Sequence, residues 1–497
     1  MRRLEVLLLS ILLIAAAQAF AADDGVTRAM KLYEKRHYNE AARMLRAESG
    51  SIEPGKKGSA NLVLGMIYFK NAVLHRELYQ AAVAASQDYL KKLSAAQRED
   101  RSHFVNLYLG EALAESGKSS AAAVHLKKFL QDNGASPRHR AIAQISLGLG
   151  YYQNNEASKG SELWGGIKTS DLEVNAELAA AYSKAGLRDK DPSMMAEGIL
   201  SEMKSSGKPL STRMVKNLVA IYARGSGSTE KGLDLLNRSD LGAFSYREVL
   251  GKSKVIHFYD LSLLNDMATL YGRASVACLE KAAADPKVKD AAEFYLGQAC
   301  ALFGSIEQSS RVITSFLATS QMPQQYKDRI RVWQGANLYA RNRQTDAMAV
   351  WDELVRRQPE DRELIAEVLF ACSRMKTECP KVLQKATALV EAGESKKLSS
   401  LNIAIGKYHL SRLDPARAVL YLEAGRDKSN KNKIESNDPA LLVSLADAYY
   451  RTKKFSEALE IYFEMSKHFP EVRQIQEAMQ GVYAMEHKSA GDVKINY

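Results

Sequence analysis

Small residues recur along this chain at helical positions, each followed by a large residue, a short polar turn and a second apolar helix. The segment from Pro439 to Pro470 is the clearest unit. Leu442, Leu445, Ala446 and Tyr449 fall at helical spacing, Lys453-Lys454 makes the turn, and Ala458, Tyr462 and Met465 mark the second helix. A further unit runs through Gly335, Leu338, Ala347, Trp351, Leu354 and Pro359. The small position returns at Ala29, Gly65, Gly110, Gly148 and Ala179, again in a helix around residue 219, and at Gly297, Gly335, Gly406 and Ala446. Most steps lie between 31 and 45 residues, and gaps of 78 and 71 residues read as skipped units. No stretch reads as an alternating strand, and only 11 prolines interrupt the helical pattern. A single pair cannot bury its apolar face, so neighbouring pairs must stack into one continuous core.

Large residues alternating with small ones across paired antiparallel helices resemble the tetratricopeptide repeat. The resemblance implies an all-α, right-handed superhelical solenoid of about ten to twelve helix pairs. It also implies a concave groove lined by the first helix of each pair. The residues just after the large position, Tyr33, Phe69, Tyr152, Tyr339 and Tyr450, are expected in that groove, with Arg451 beside them. Tyrosine offers broad contact area and a polar tip, which suits binding surfaces; the alternative is that these rings fill core volume between helices. Some members of the family hold a terminal carboxylate with a Lys and Asn clamp. The matching positions here are Met30, Met66, Glu111, Leu149 and Asp447, which argues against that use.

The first residues set the expected compartment. Arg2 and Arg3 precede an apolar run from Val6 to Ala17, too short to span a bilayer, and Ala19-Phe20-Ala21 supplies a small-x-small cleavage site. A secretory signal peptide over 1–21 is expected, with Ala17-Gln18-Ala19 as the alternative site, and with export to the periplasm or the periplasmic face of an outer membrane. No transmembrane segment is expected after cleavage. The organisation expected beyond it is a solenoid over 22–238, an irregular junction over 239–261, a second solenoid over 262–484 and a tail over 485–497. The junction lacks the small/large rhythm and clusters Phe244, Tyr246, His257, Phe258 and Tyr259.

The net charge of +11 falls to +10 once Arg2, Arg3 and Glu5 leave (11 − 2 + 1). A basic exported chain meets acidic partner surfaces or anionic envelope polymers, whereas export argues against nucleic acid. Four cysteines in an oxidising compartment allow three connectivities. Cys372 and Cys379 are seven residues apart across a helix–turn–helix, so they are expected to pair, with Cys278 and Cys300 as the second bridge. The alternative is four small buried apolar residues.

Catalytic chemistry is not legible. The chain has no HExxH, no CxxC and no GxSxG, so neither metal nor cofactor is expected. Gly117-Lys118-Ser119 lacks the glycine five residues earlier that a phosphate loop needs, because Ala112 stands there, and Gly251-Lys252-Ser253 fails in the same way at Tyr246. The expected function is a non-enzymatic envelope scaffold that binds other envelope proteins within a secretion, pilus, polysaccharide-export or division assembly. Direct binding of an anionic polysaccharide or peptidoglycan is the alternative, and an envelope hydrolase carrying a helical solenoid the third reading.

Overall fold

A computed structural model describes residues 25–96, 102–132, 134–225, 229–239, 245–250, 254–259, 262–393, 399–427, 432–434 and 436–487. The expected signal peptide, the GKS tripeptide at 251–253, Phe244 and most of the expected tail lie outside the described residues. The chain divides into two compact units that interleave in sequence, residues 1–74 with 271–468 and residues 75–270 with 469–497. This differs from the expected pair of consecutive solenoids meeting at 239–261.

The first unit begins with the pair α1 (Gly25–Glu34) and α2 (Tyr38–Ala47). Next comes α3 (Lys57–Ala96), a single helix of 40 residues whose portion up to Leu74 belongs here. Its antiparallel mate is the second half of α12 (Ser262–Ala283). Leu279 of α12 nests against Gly65, where a Cβ would stand 2.7 Å from it, and Ser275 donates to the Gly65 carbonyl at 2.8 Å. Five sequence-local pairs complete the unit: α13 (Lys289–Phe303) with α14 (Ile306–Thr319), α15 (Gln324–Ala340) with α16 (Gln344–Arg357), α17 (Arg362–Met375) with α18 (Pro380–Glu391), α19 (Ser399–Ser411) with α20 (Pro415–Gly425), and α21 (Pro439–Arg451) with α22 (Phe455–Ser466). Its two ends meet. Arg36 donates to the Ile434 carbonyl at 2.9 Å, and the His37 and His468 rings stack at 4.5 Å.

The second unit holds the rest of α3 and four pairs: α4 (Ser102–Glu115) with α5 (Ser119–Leu130), α6 (Pro137–Gln153) with α7 (Ala157–Gly165), α8 (Leu172–Lys184) with α9 (Pro192–Ser206), and α10 (Thr212–Arg224) with α11 (Thr229–Arg238). The start of α12 and a C-terminal α23 (Arg473–His487) belong to it too. Within the expected junction, β1 (Ser245–Leu250) and β2 (Lys254–Tyr259) form an antiparallel hairpin with Ser245 opposite Tyr259. The sequence reading had no strand there. Val249, Val255 and Ile256, with aromatics around them, favour extended backbone over a helix pair. Inside this unit His75 of α3 and Glu471, just before α23, are buried and 2.7 Å apart.

One geometric rule generates the pairs. In four sequence-local pairs the glycine of the first helix faces a large residue sixteen positions later: Gly110 meets Leu126, Gly148 meets Trp164, Gly335 meets Trp351 and Gly406 meets Leu422. Both tryptophans donate Nε1 to the carbonyl three residues before their glycine, Trp164 to Ile145 at 3.0 Å and Trp351 to Val332 at 2.9 Å. Seven residues after the small position the chain turns with positive φ, at Arg36, Gly117, Asn155, Gly186, Asn342, Lys376, Leu413 and Lys453. Counting back seven from Lys376 gives Leu369, so α17 carries a leucine where its neighbours carry glycine or alanine. That substitution hides the unit in the 71-residue gap.

A disulfide joins Cys372 at the end of α17 to Cys379, the residue that precedes Pro380 of α18, as expected, with Cα atoms 6.5 Å apart. The second expected bridge is absent: Cys278 and Cys300 are separate buried thiols, and burial pushes the Cys300 thiol up to about 12. Cys278 precedes the Asp285-Pro286 turn by seven residues, whereas Cys300 follows it by fourteen. In antiparallel helices that mismatch offsets them by roughly 10 Å along the axis, beyond disulfide reach.

Candidate functional site

The first helices of the first unit converge on a cavity of about 170 Å³. Four positions recur in its wall: six, three and two residues before the small position and one after it. On α19 these are Ser400, Ile403, Ala404 and Lys407, and on α17, counted from Leu369, Glu363, Ala366, Glu367 and Phe370. Arg329 and Trp333 of α15, Phe294, Tyr295 and Gln298 of α13, and Phe69, Lys70 and Val73 of α3 obey the same register, α3 being counted from Ala72, and Leu74 lies next to them. Residues 438–441 at the head of α21, with Tyr38 of α2, close the ring.

The walls are apolar and their charges are satisfied by one another. Glu367 accepts from Arg329 Nε at 2.6 Å through one oxygen and from the Trp333 indole at 2.9 Å through the other, fixing both side chains. The Trp333 and Phe370 rings meet edge to face at 6.2 Å, and the Lys407 ammonium lies 5.7 Å from the Phe370 centroid. Asp438 caps α21 by accepting from Ala440 N at 2.8 Å. Burial would raise its carboxyl, but Lys70, Lys407 and Arg36 together with that backbone bond hold it below the usual range. Three cations (Lys70, Arg329, Lys407) thus balance three carboxylates (Glu363, Glu367, Asp438) around an aromatic chamber.

Of the residues expected in a groove, Phe69 lines this cavity and packs edge to face on Phe303. The others sit elsewhere. Tyr33 packs on Tyr38 at 5.5 Å, Tyr152 stacks on Trp164 at 4.7 Å, Tyr339 on Trp351 at 6.5 Å, and Tyr450 packs on Phe455 at 5.6 Å. Arg451 pairs with Asp447 at 2.8 Å. Each of these tyrosines lies four residues after its small anchor, and positions four apart share a helix face. Each of the four packs against a ring carried by the second helix of its own pair. The sequence reading does not single out Trp333, Phe370, Arg329 or Glu367, although Trp333 lies two residues before the Gly335 anchor.

The first helices of the second unit carry a buried ionic network. Arg213 of α10 donates to Glu111 at 2.9 Å and to Glu177 at 2.7 Å, and Asn217 donates to Glu177 at 2.9 Å. Burial would raise the Glu177 carboxyl, but Lys216, Arg213, Asn217 and Lys184 hold it at about 2. At Glu111 burial wins over Arg213 and the carboxyl is raised. Among the described residues no three His, Cys, Asp or Glu side chains are grouped to hold a metal ion, and no helix is long and apolar enough to cross a membrane.

The sixteen-residue nesting and the seven-residue turn define the architecture. The fold is a tetratricopeptide-type helical repeat. No family model matches the chain, and no curated protein matches it. Solved structures similar to it include yeast Tom70, at 11% identity over 94% of this chain and 95% of that one, with a TM-score of 0.33. The Cut9 and Hcn1 hetero-tetramer of the APC/C gives 12% identity over 94% and 97%, with a TM-score of 0.28. A signal-transduction ATPase with a tetratricopeptide sensor from Pyrococcus horikoshii gives 10% over 88% and 79%, with a TM-score of 0.31.

Proposed function

We propose that this protein is a non-enzymatic scaffold whose first unit takes up a segment of a protein partner by its bulky apolar side chain. The observation that carries this reading is the charge-balanced aromatic chamber between six first helices, with Trp333 and Phe370 held in place by Glu367, Arg329 and Lys407. A balanced wall has no net charge to offer a charged guest, whereas preset aromatic faces favour an apolar anchor.

The setting we propose is the cell envelope, with the leader removed after Ala21 and the mature chain in the periplasm or on the periplasmic face of the outer membrane. The Cys372–Cys379 bridge supports an oxidising compartment. Other envelope proteins of a secretion, pilus, polysaccharide-export or division assembly would be its partners. The test is Ala404→Phe, which adds a ring at a buried position of the chamber wall. Partner binding should fall at least tenfold with the helical signal unchanged, and should be nearly constant between low and high salt. Binding that survives the filled chamber, or that collapses with salt, would favour a polymer ligand instead.

A further inference from the structure

In the second unit a cavity of about 220 Å³ lies between α5, α6 and α7, within a part of the molecule the apolar chamber does not use. The half-buried ring of Tyr151 is part of its lining. The Lys127 ammonium of α5 stands 5.8 Å from the ring centroid and the Lys159 ammonium of α7 stands 5.6 Å from it. Lys159 is hydrogen-bonded to Glu156. Lys127 has no carboxylate partner among the described residues. Two lysines and one glutamate leave the site with a net charge of +1. Ser120, in the first turn of α5, and Asn154 add exposed hydrogen-bonding groups at the rim.

We propose that this cavity binds one carboxylated sugar ring of an acidic glycan. One carboxylate balances the +1 site and lies against the Lys127 and Lys159 ammoniums. The apolar C–H face of the sugar covers Tyr151, and its hydroxyls meet Ser120 and Asn154. The volume is below that of pockets which enclose drug-sized ligands, so it suits one ring rather than a peptide. A bare phosphate would satisfy the lysines but leave the Tyr151 face open to water.

Isothermal titration of the purified chain with a galacturonate trimer, a galactose trimer and inorganic phosphate tests this. The galacturonate trimer should bind, and saturation-transfer NMR should place its ring C–H protons against an aromatic side chain. Lys127→Gln should weaken binding at least tenfold, and Lys127→Gln with Lys159→Gln should abolish it. Both lysines are exposed, so folding is not at stake. The Ala404→Phe variant should bind the trimer like the wild type, which separates this site from the chamber of the first unit. Equal binding of the galactose trimer, unchanged affinity in the double variant, or phosphate binding as tight as the trimer would each overturn the proposal.

Discussion

Adding one methyl group at Gly148 tests whether close approach of paired helices sets the architecture. A Cβ there would lie 2.3 Å from Nε1 and 2.7 Å from Cε2 of Trp164. The indole is buried, stacked under Tyr152 and tied to the Ile145 carbonyl, so it has no free direction in which to yield. Overpacking of this kind costs about 1–3 kcal/mol. Gly198 of α9 is the control, since it lies in the same unit, is helical, and has nothing within 4 Å of its would-be Cβ. Gly198→Ala should stabilise by about 1 kcal/mol through helix propensity alone. The propensity gain is common to both variants, so the difference between them isolates the clash at about 1–3 kcal/mol. Urea unfolding followed by circular dichroism, with tryptophan fluorescence as a second probe, measures it. Equal stabilisation by the two substitutions would refute the nesting account.

Replacing Cys372 and Cys379 by Ser should cost about 2–3 kcal/mol by loss of loop closure, and alkylation of the unreduced, denatured chain should label Cys278 and Cys300 only. Glu177 has its carboxyl depressed to about 2, so its contribution to stability is complete above its ordinary range near 4.5 and is lost as pH falls towards 2. Glu177→Gln should therefore flatten the acid limb of the stability curve between those values, and an unchanged limb would contradict the assignment. Leu413 is exposed with φ of 60°, so Leu413→Gly should raise the stability of the first unit by up to about 1 kcal/mol in the same urea assay. N-terminal sequencing of the exported protein should begin at Ala22.

The repeat was legible because glycine and alanine mark close helix contacts in sequence as they do in space. Two features escaped for physical reasons. Seven residues after Gly65 stands Ala72, a strong helix former in place of a turn residue, so α3 runs on to Ala96 and its partner comes from α12. At Leu369 the anchor is large, and the pair is marked instead by the Lys376 turn and the disulfide. The hairpin leaves little trace in the sequence because two six-residue strands are too short to stand out against the surrounding helical period. For the site, the family-like groove was expected but its register was placed on the inter-helix face. Tyr152, Tyr339 and Tyr450 pack instead on Trp164, Trp351 and Phe455 of the second helices. The lining at Trp333 and Phe370 follows from the same geometry once the anchor is known to face its partner helix.

Site-specific photo-crosslinking from inside the chamber tests the central claim most directly. A crosslinker placed at Phe370, with exposed Leu420 on α20 as the outward control, is activated in intact cells and the joined peptides are sequenced. The account predicts that Phe370 captures one partner segment at a bulky apolar residue, and that Ala404→Phe abolishes the product while Leu420 gives none. Capture from Leu420 alone, or capture at Phe370 that persists when the chamber is filled, would contradict it.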